Sequence, residues 1–216
     1  MFIRKICLLV SILFVLSGCQ SAYYSAMEKA GFHKRDILVD RVEDAKETQE
    51  ETKEQFKSAL ERFKSVRQFD GGDLERIYNS LNSELETSQG LADEIRGRIE
   101  SIEDVSDALF DEWQTELEQF TNASLKSKSQ ATLRETKREY AKLIRAMKKA
   151  EASIKPVLNI FNDQVLYLKH NLNAQAIKSL EGELDEIELN VTRLINEMNR
   201  SIDEANSFIS SMNTGA

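Results

Sequence analysis

Apolar side chains recur along this chain three and four residues apart, with Glu, Lys, Arg and Gln filling the positions between them. Leu38, Val42, Ala45, Gln49, Thr52, Phe56, Ala59, Phe63 and Val66 keep that alternation without a slip. This is the heptad seam of a helix that packs on other helices. The paired glycines of FDGGD, residues 69 to 73, end the run, and Asp73 stands where it can cap the next helix. A second run goes from Leu74 through Ile77, Leu81, Leu85, Leu91, Ile95, Ile99, Ile102, Val105, Leu109, Trp113 and Leu117 to Phe120. Its stripe is wider, as expected of a helix that touches two partners.

The stretch TNASLKSKSQ then interrupts with small and basic residues. A third run includes Leu133, Thr136, Tyr140, Leu143, Met147, Ala150, Ile154, Val157, Phe161, Gln164 and Leu168, and breaks at HNLNA. The fourth runs Ile177, Leu180, Leu184, Ile187, Val191, Leu194, Met198, Ser201, Ala205, Phe208 and Met212. The pattern predicts helices over about 25–68, 74–120, 128–170 and 174–212, each about 50 to 70 Å long at 1.5 Å per residue. Short connections favour antiparallel neighbours. The expected fold is all-α, an up-down-up-down bundle of coiled-coil-like hairpins; an open double hairpin, or two chains sharing one bundle, satisfies the heptads almost as well. Gln49, Thr52 and Gln164 put polar groups on the seams, which costs stability and can fix register. Pro156 lies inside the third run without disturbing its phase, so a kink is expected there rather than a break.

Composition supports the helical reading. One proline and eight glycines in 216 residues leave few turns, whereas a sheet-rich domain needs a turn signal every 8 to 12 residues or so.

The N-terminus changes the picture of where such a bundle works. A basic start, MFIRK, precedes ICLLVSILFVL, an apolar stretch shorter than the roughly 20 residues of a spanning helix. Small residues follow it, as in a secretory signal peptide. Leu16, Ser17, Gly18 and Cys19 resemble the lipobox of bacterial lipoproteins. That resemblance implies cleavage before Cys19 and acyl lipid on its thiol and new amino group, with residues 1–18 as signal and 19–216 as one helical domain. Gln20 in place of Asp implies export to an outer membrane, facing the periplasm. Cys7 goes with the signal and Cys19 takes the lipid, so no cysteine remains for a disulfide or a metal. Two or three acyl chains anchor stably where one is marginal.

Charge then narrows the partners. The full chain carries −8, and loss of Arg4 and Lys5 with the signal makes the mature chain more acidic. Nonspecific nucleic-acid binding needs clustered Lys and Arg, so that class is not expected. The chain has no G-x-x-x-x-G-K-[ST], G-x-S-x-G or H-E-x-x-H, so no nucleotide, catalytic residue, metal or cofactor beyond the acyl group is expected.

Two surfaces stand out as candidates. Lys169, His170, Asn171 and Asn173, with Phe69, mark the end of the bundle away from the anchor and read as a recognition tip; turn chemistry explains the asparagines as well. Tyr23, Tyr24, Lys34 and Arg35, with Lys126 and Lys128, fall at the anchored end, where tyrosines and basic residues suit a bilayer interface. Ordinary helix starts and solvated loops explain these residues too. Trp113, with Leu109 and Leu117, has core spacing, and the neighbouring Asp111 and Glu112 read as a charged helix face.

Three strings carry a closer likeness. MEKAGFHKRD, LFDEWQTELEQFTNASL and PVLNIFNDQVLYLKHNLNAQAI, in this order behind the lipobox, resemble the bacterial family catalogued as domain of unknown function 2959. The likeness spans the mature chain. It implies a helical envelope protein, frequently a lipoprotein, without established activity. The expectation is a lipid-anchored, non-catalytic rod that binds or spaces another envelope component. A self-associating spacer is the alternative, and a regulator or hydrolase of cell-wall material a more distant one.

Overall fold

The computed structural model describes residues 18–66, 73–171 and 173–214, and these form five α-helices with no strand among them. They are α1 (Gly18–Lys29), α2 (Lys34–Ser65), α3 (Leu74–Leu117), α4 (Ala123–His170) and α5 (Ala174–Thr214).

The helix expected from residue 25 onward is interrupted. Gly31 has φ +91°, Gly31 N–H donates to the Glu28 carbonyl, and Phe32 N–H donates to the Met27 carbonyl. This pair of bonds around a left-handed glycine is a Schellman stop, a conformation that disfavours any residue with a Cβ. The chain reverses there. Ties between Tyr24 and Arg41, and between Glu28 and Lys34, then lay α1 back along α2.

The other boundaries follow from caps. Asp73 Oδ1 accepts from Glu75 N–H at 3.0 Å and Arg76 N–H at 3.2 Å, fixing the start of α3 as the spacing expects. The connection before α4 is shorter than expected, only residues 118 to 122. Asn122 Oδ1 accepts from the N–H groups of Ser124 and Leu125, so LKSKSQ is already helical and Phe120 lies outside the helix. Helix α4 passes through Pro156 unbroken, with Ile154 and Val157 buried on either side.

Helix α2 packs on α3 and α5, and α4 packs on the same two. The side-chain ties between α2 and α3 join Arg41 to Ser101, Asp44 to Arg98 and Gln55 to Glu84, so numbers fall in one helix as they rise in the other. The core is continuous from end to end. Phe161 stacks on Phe63 with ring centroids 4.5 Å apart and lies 6.1 Å from Phe56, and all three rings are fully buried. Toward the other end Tyr140 meets Phe110 edge-on at 5.4 Å.

Candidate functional site

At the end where α1 turns into α2, two basic side chains of α2 reach between α1 and α3. Lys34 Nζ donates to Glu28 Oε1 of α1 and, at 2.9 Å, to Glu112 Oε1 of α3. About two turns further along, Arg41 Nη1 donates to the Tyr24 hydroxyl at 2.9 Å and to the Ser101 carbonyl at 2.6 Å. Its guanidinium also lies 5.6 Å from the centre of the Tyr24 ring, within cation–π range.

Burial is the largest influence on Lys34 and works against its charge, yet the hydrogen bonds to Glu28 and Glu112 outweigh it and raise its pKa above the ordinary lysine value. For Glu28 the hydrogen bond from Lys34 comes first, and the carboxyl falls below its ordinary value. The cluster is a carboxylate–ammonium–carboxylate bridge. With both acids paired to one lysine, its chemistry is attachment of α1.

This arrangement corrects part of the expected membrane face. Tyr24 is 2 % exposed and Lys34 8 %. Both are turned into the protein by the back-folded α1, so neither reaches headgroups. Tyr23 is exposed beside Tyr24, and Arg35 is half-buried. Lys126 is paired with Glu118 at 3.4 Å, and Lys128 is exposed. Phe32, Phe120 and Leu125 add exposed apolar side chains near the same connections. Cys19 and Gly18 lie within α1, whereas Leu16 and Ser17 are outside the described residues.

At the other end, α4 stops at His170 and α5 begins at Ala174. Asn171 Nδ2 donates to the Tyr167 carbonyl at 2.9 Å, and Asn173 N–H donates to the Asn171 carbonyl at 2.7 Å. The asparagines therefore shape a tight reversal, as their turn chemistry predicts. Lys169, His170 and Asn173 are exposed around it. Phe69 lies outside the described residues. Leu166 and Tyr167, both exposed in the last turns of α4, are surface features that seam counting passes over.

Trp113 is half-buried against the core, and its Nε1 donates to Ser129 Oγ at 2.8 Å, tying α3 to α4. Glu112, read as part of a charged face, is a partner of Lys34 instead. A surface groove between α3 and α4 runs over Ala92 and Ile154, with Arg96 and Glu151 paired at 3.2 Å on its rim. Pro156 has no N–H to give the Ala152 carbonyl, and Ala152 lines this groove. Among the described residues no group of His, Cys, Asp and Glu is placed to hold a metal, and no helix is long and apolar enough to cross a membrane.

The sequence profile of one family, described as Protein of unknown function (DUF2959), matches residues 23–212. No curated protein matches the chain.

Proposed function

On the premise that this chain belongs to the family described as Protein of unknown function (DUF2959), we propose that it is a lipid-anchored, non-catalytic protein of the bacterial envelope. Its four long helices form an up-down-up-down bundle, and the α4–α5 end contacts another envelope component. The observation that carries the anchoring is the run Leu16-Ser17-Gly18-Cys19 behind a basic and apolar leader. Acyl chains on Cys19 hold the protein at a membrane, the outer one facing the periplasm by the identity of Gln20. The antiparallel topology draws support from the ties of α2 to both neighbours, where Lys53 meets Asn199 and Lys64 meets Glu188 in the same falling order seen with α3.

Binding rather than catalysis is supported by where the polar groups go. The ion pairs Lys34–Glu112, Asp44–Arg98, Arg96–Glu151 and Lys64–Glu188 join helices to one another, and the seams are filled mostly by apolar side chains. The α4–α5 end combines exposed Leu166 and Tyr167 with Lys169 and His170, a mixed apolar and basic surface suited to a protein partner. A self-associating spacer is the second reading, favoured by Leu189, which stands 59 % exposed on the flank of α5.

In-cell photo-crosslinking separates the two. A photoreactive residue at Tyr167 or Asn171 is expected to give a discrete adduct with a second protein. Adducts only from Leu189, at twice the monomer mass, would instead make the protein a self-assembling spacer.

A further inference from the structure

Midway along the core the large apolar side chains give way to small and polar ones. Gln49 and Thr52 of α2, Ser88 and Ala92 of α3, and Ser201 and Ala205 of α5 are all buried, five of the six at 0 % exposed and Ala92 at 5 %. The ties between helices bring them to one level. Asp44–Arg98 and Gln55–Glu84 bracket Gln49 and Thr52 against Ser88 and Ala92. Lys53–Asn199 sets Ser201 beside the same stretch of α2.

The hydrogen bonding of this level is incomplete in a specific way. Thr52 donates to the Thr48 carbonyl at 2.7 Å and Ser88 to the Glu84 carbonyl at 2.7 Å, so both hydroxyl hydrogens are used and both oxygens can still accept. Gln49 Nε2, Gln49 Oε1 and Ser201 Oγ have no protein partner. Buried polar groups in folded proteins are almost always paired, by protein or by ordered water. A buried water typically makes about three hydrogen bonds, in polar surroundings with room for it. Small side chains on three helices supply the room, and an amide with hydroxyl oxygens supplies the partners.

We propose that this level is a water-binding site built into the core. Ordered water there accepts from Gln49 Nε2–H and from the Ser201 hydroxyl and donates to Gln49 Oε1 and to the oxygen of Thr52 or Ser88. The bound water fixes the register of α2 on α5. Sliding α2 by one heptad brings Gln49 to the level now held by Val42 or Phe56, both 0 % exposed, where an amide finds no polar neighbour.

A high-resolution crystal structure of the full chain tests this. The expected result is density for at least one ordered water within hydrogen-bonding distance of Gln49 and Ser201, and its loss in a Gln49→Leu variant that keeps the fold. A dry layer, with the Gln49 amide bonded directly to Ser201, overturns the proposal. Density for a larger guest overturns it as well, because the site is then not a water site.

Discussion

Replacing Lys34 by Met removes one ammonium and leaves two carboxylates facing each other. In the wild type Lys34 bridges Glu28 of α1 and Glu112 of α3, with its own side chain 10 % exposed and the two acids 31 % and 34 % exposed. A hydrogen bond to a charged group is worth about 1.5–3 kcal/mol. The partly solvated acids call for the low end of that range, since exposed pairs contribute little. The Arg41–Tyr24 tie remains in the variant, so the loss is confined to one of two attachments. Docking of α1, which loses its one bond to Lys34 through Glu28, is therefore expected to weaken by about 1.5–2 kcal/mol, roughly a 10- to 30-fold rise in its opening equilibrium. Hydrogen exchange read by mass spectrometry checks this. Peptides covering α1 exchange faster by that factor, while peptides from the seams of α3 and α5 keep their wild-type protection. Unchanged exchange in α1 would refute the assignment of Lys34 as its attachment.

The same bridge has a pH signature. Glu28 is lowered on folding, so its contribution is present above the ordinary carboxylate pKa, about 4.3, and is lost as pH falls through the lowered value. Lys34 is raised, so its contribution is present below the ordinary lysine value, about 10.4, and is lost as pH rises through the raised one. Protection of α1 should hold between these limits and fall outside both.

Three further outcomes follow from other parts of the structure. Phe161→Ala opens a cavity where two phenylalanines meet a fully buried ring and is expected to cost about 3–5 kcal/mol; urea unfolding reads this as a lower midpoint, and a loss under 1 kcal/mol would contradict the packing (about one-third of the smallest expected value). Asn122→Ala removes the cap of α4 and is expected to cost about 1 kcal/mol in the same assay, with α4 fraying at its first turn. Cys19→Ser should abolish incorporation of labelled fatty acid and release the protein from the membrane fraction; retention of label would show that the acyl group sits elsewhere.

How far the sequence alone reaches can be judged helix by helix. Every seam position assigned to α5, from Ile177 to Met212, is buried, because an unbroken three-four alternation leaves only one face to turn inward. In α3 the counting went to Leu91, which is only half-buried, while Ser88 and Ala92 hold the seam. Hydrophobicity marks a core position only where the core wants bulk, and here it wants small side chains. In α4 the inward residue is Val165, whereas the three-four alternation points to its neighbour Gln164, which is half-buried. The stop at Gly31 carried a local signal, a glycine followed by an aromatic residue, that the strong periodicity overrode. The burial of Tyr24 and Lys34 had none. It arises because α1 folds back, which puts Tyr24 on Arg41, 17 positions away, and Lys34 between Glu28 and Glu112, the latter 78 positions away.

That back-folding bears on how the body would stand on a membrane. Tyr24 is tied to Arg41 and Glu28 to Lys34, so going toward the N-terminus α1 climbs along α2, away from the turn at Gly31. A helix of 12 residues covers about 18 Å. Cys19 therefore sits on the side of the rod, well back from its nearer end. With the proposed acyl anchor on Cys19, a tether fixed to the flank would pull crosswise, and the rod would lean or lie along the surface instead of pointing away from it. Undocked and extended, the same 12 residues reach about 40 Å. Under the proposed anchoring at Cys19, the small helix would act as a folded length of slack, its docking or release setting both the tilt of the body and its height above the lipid.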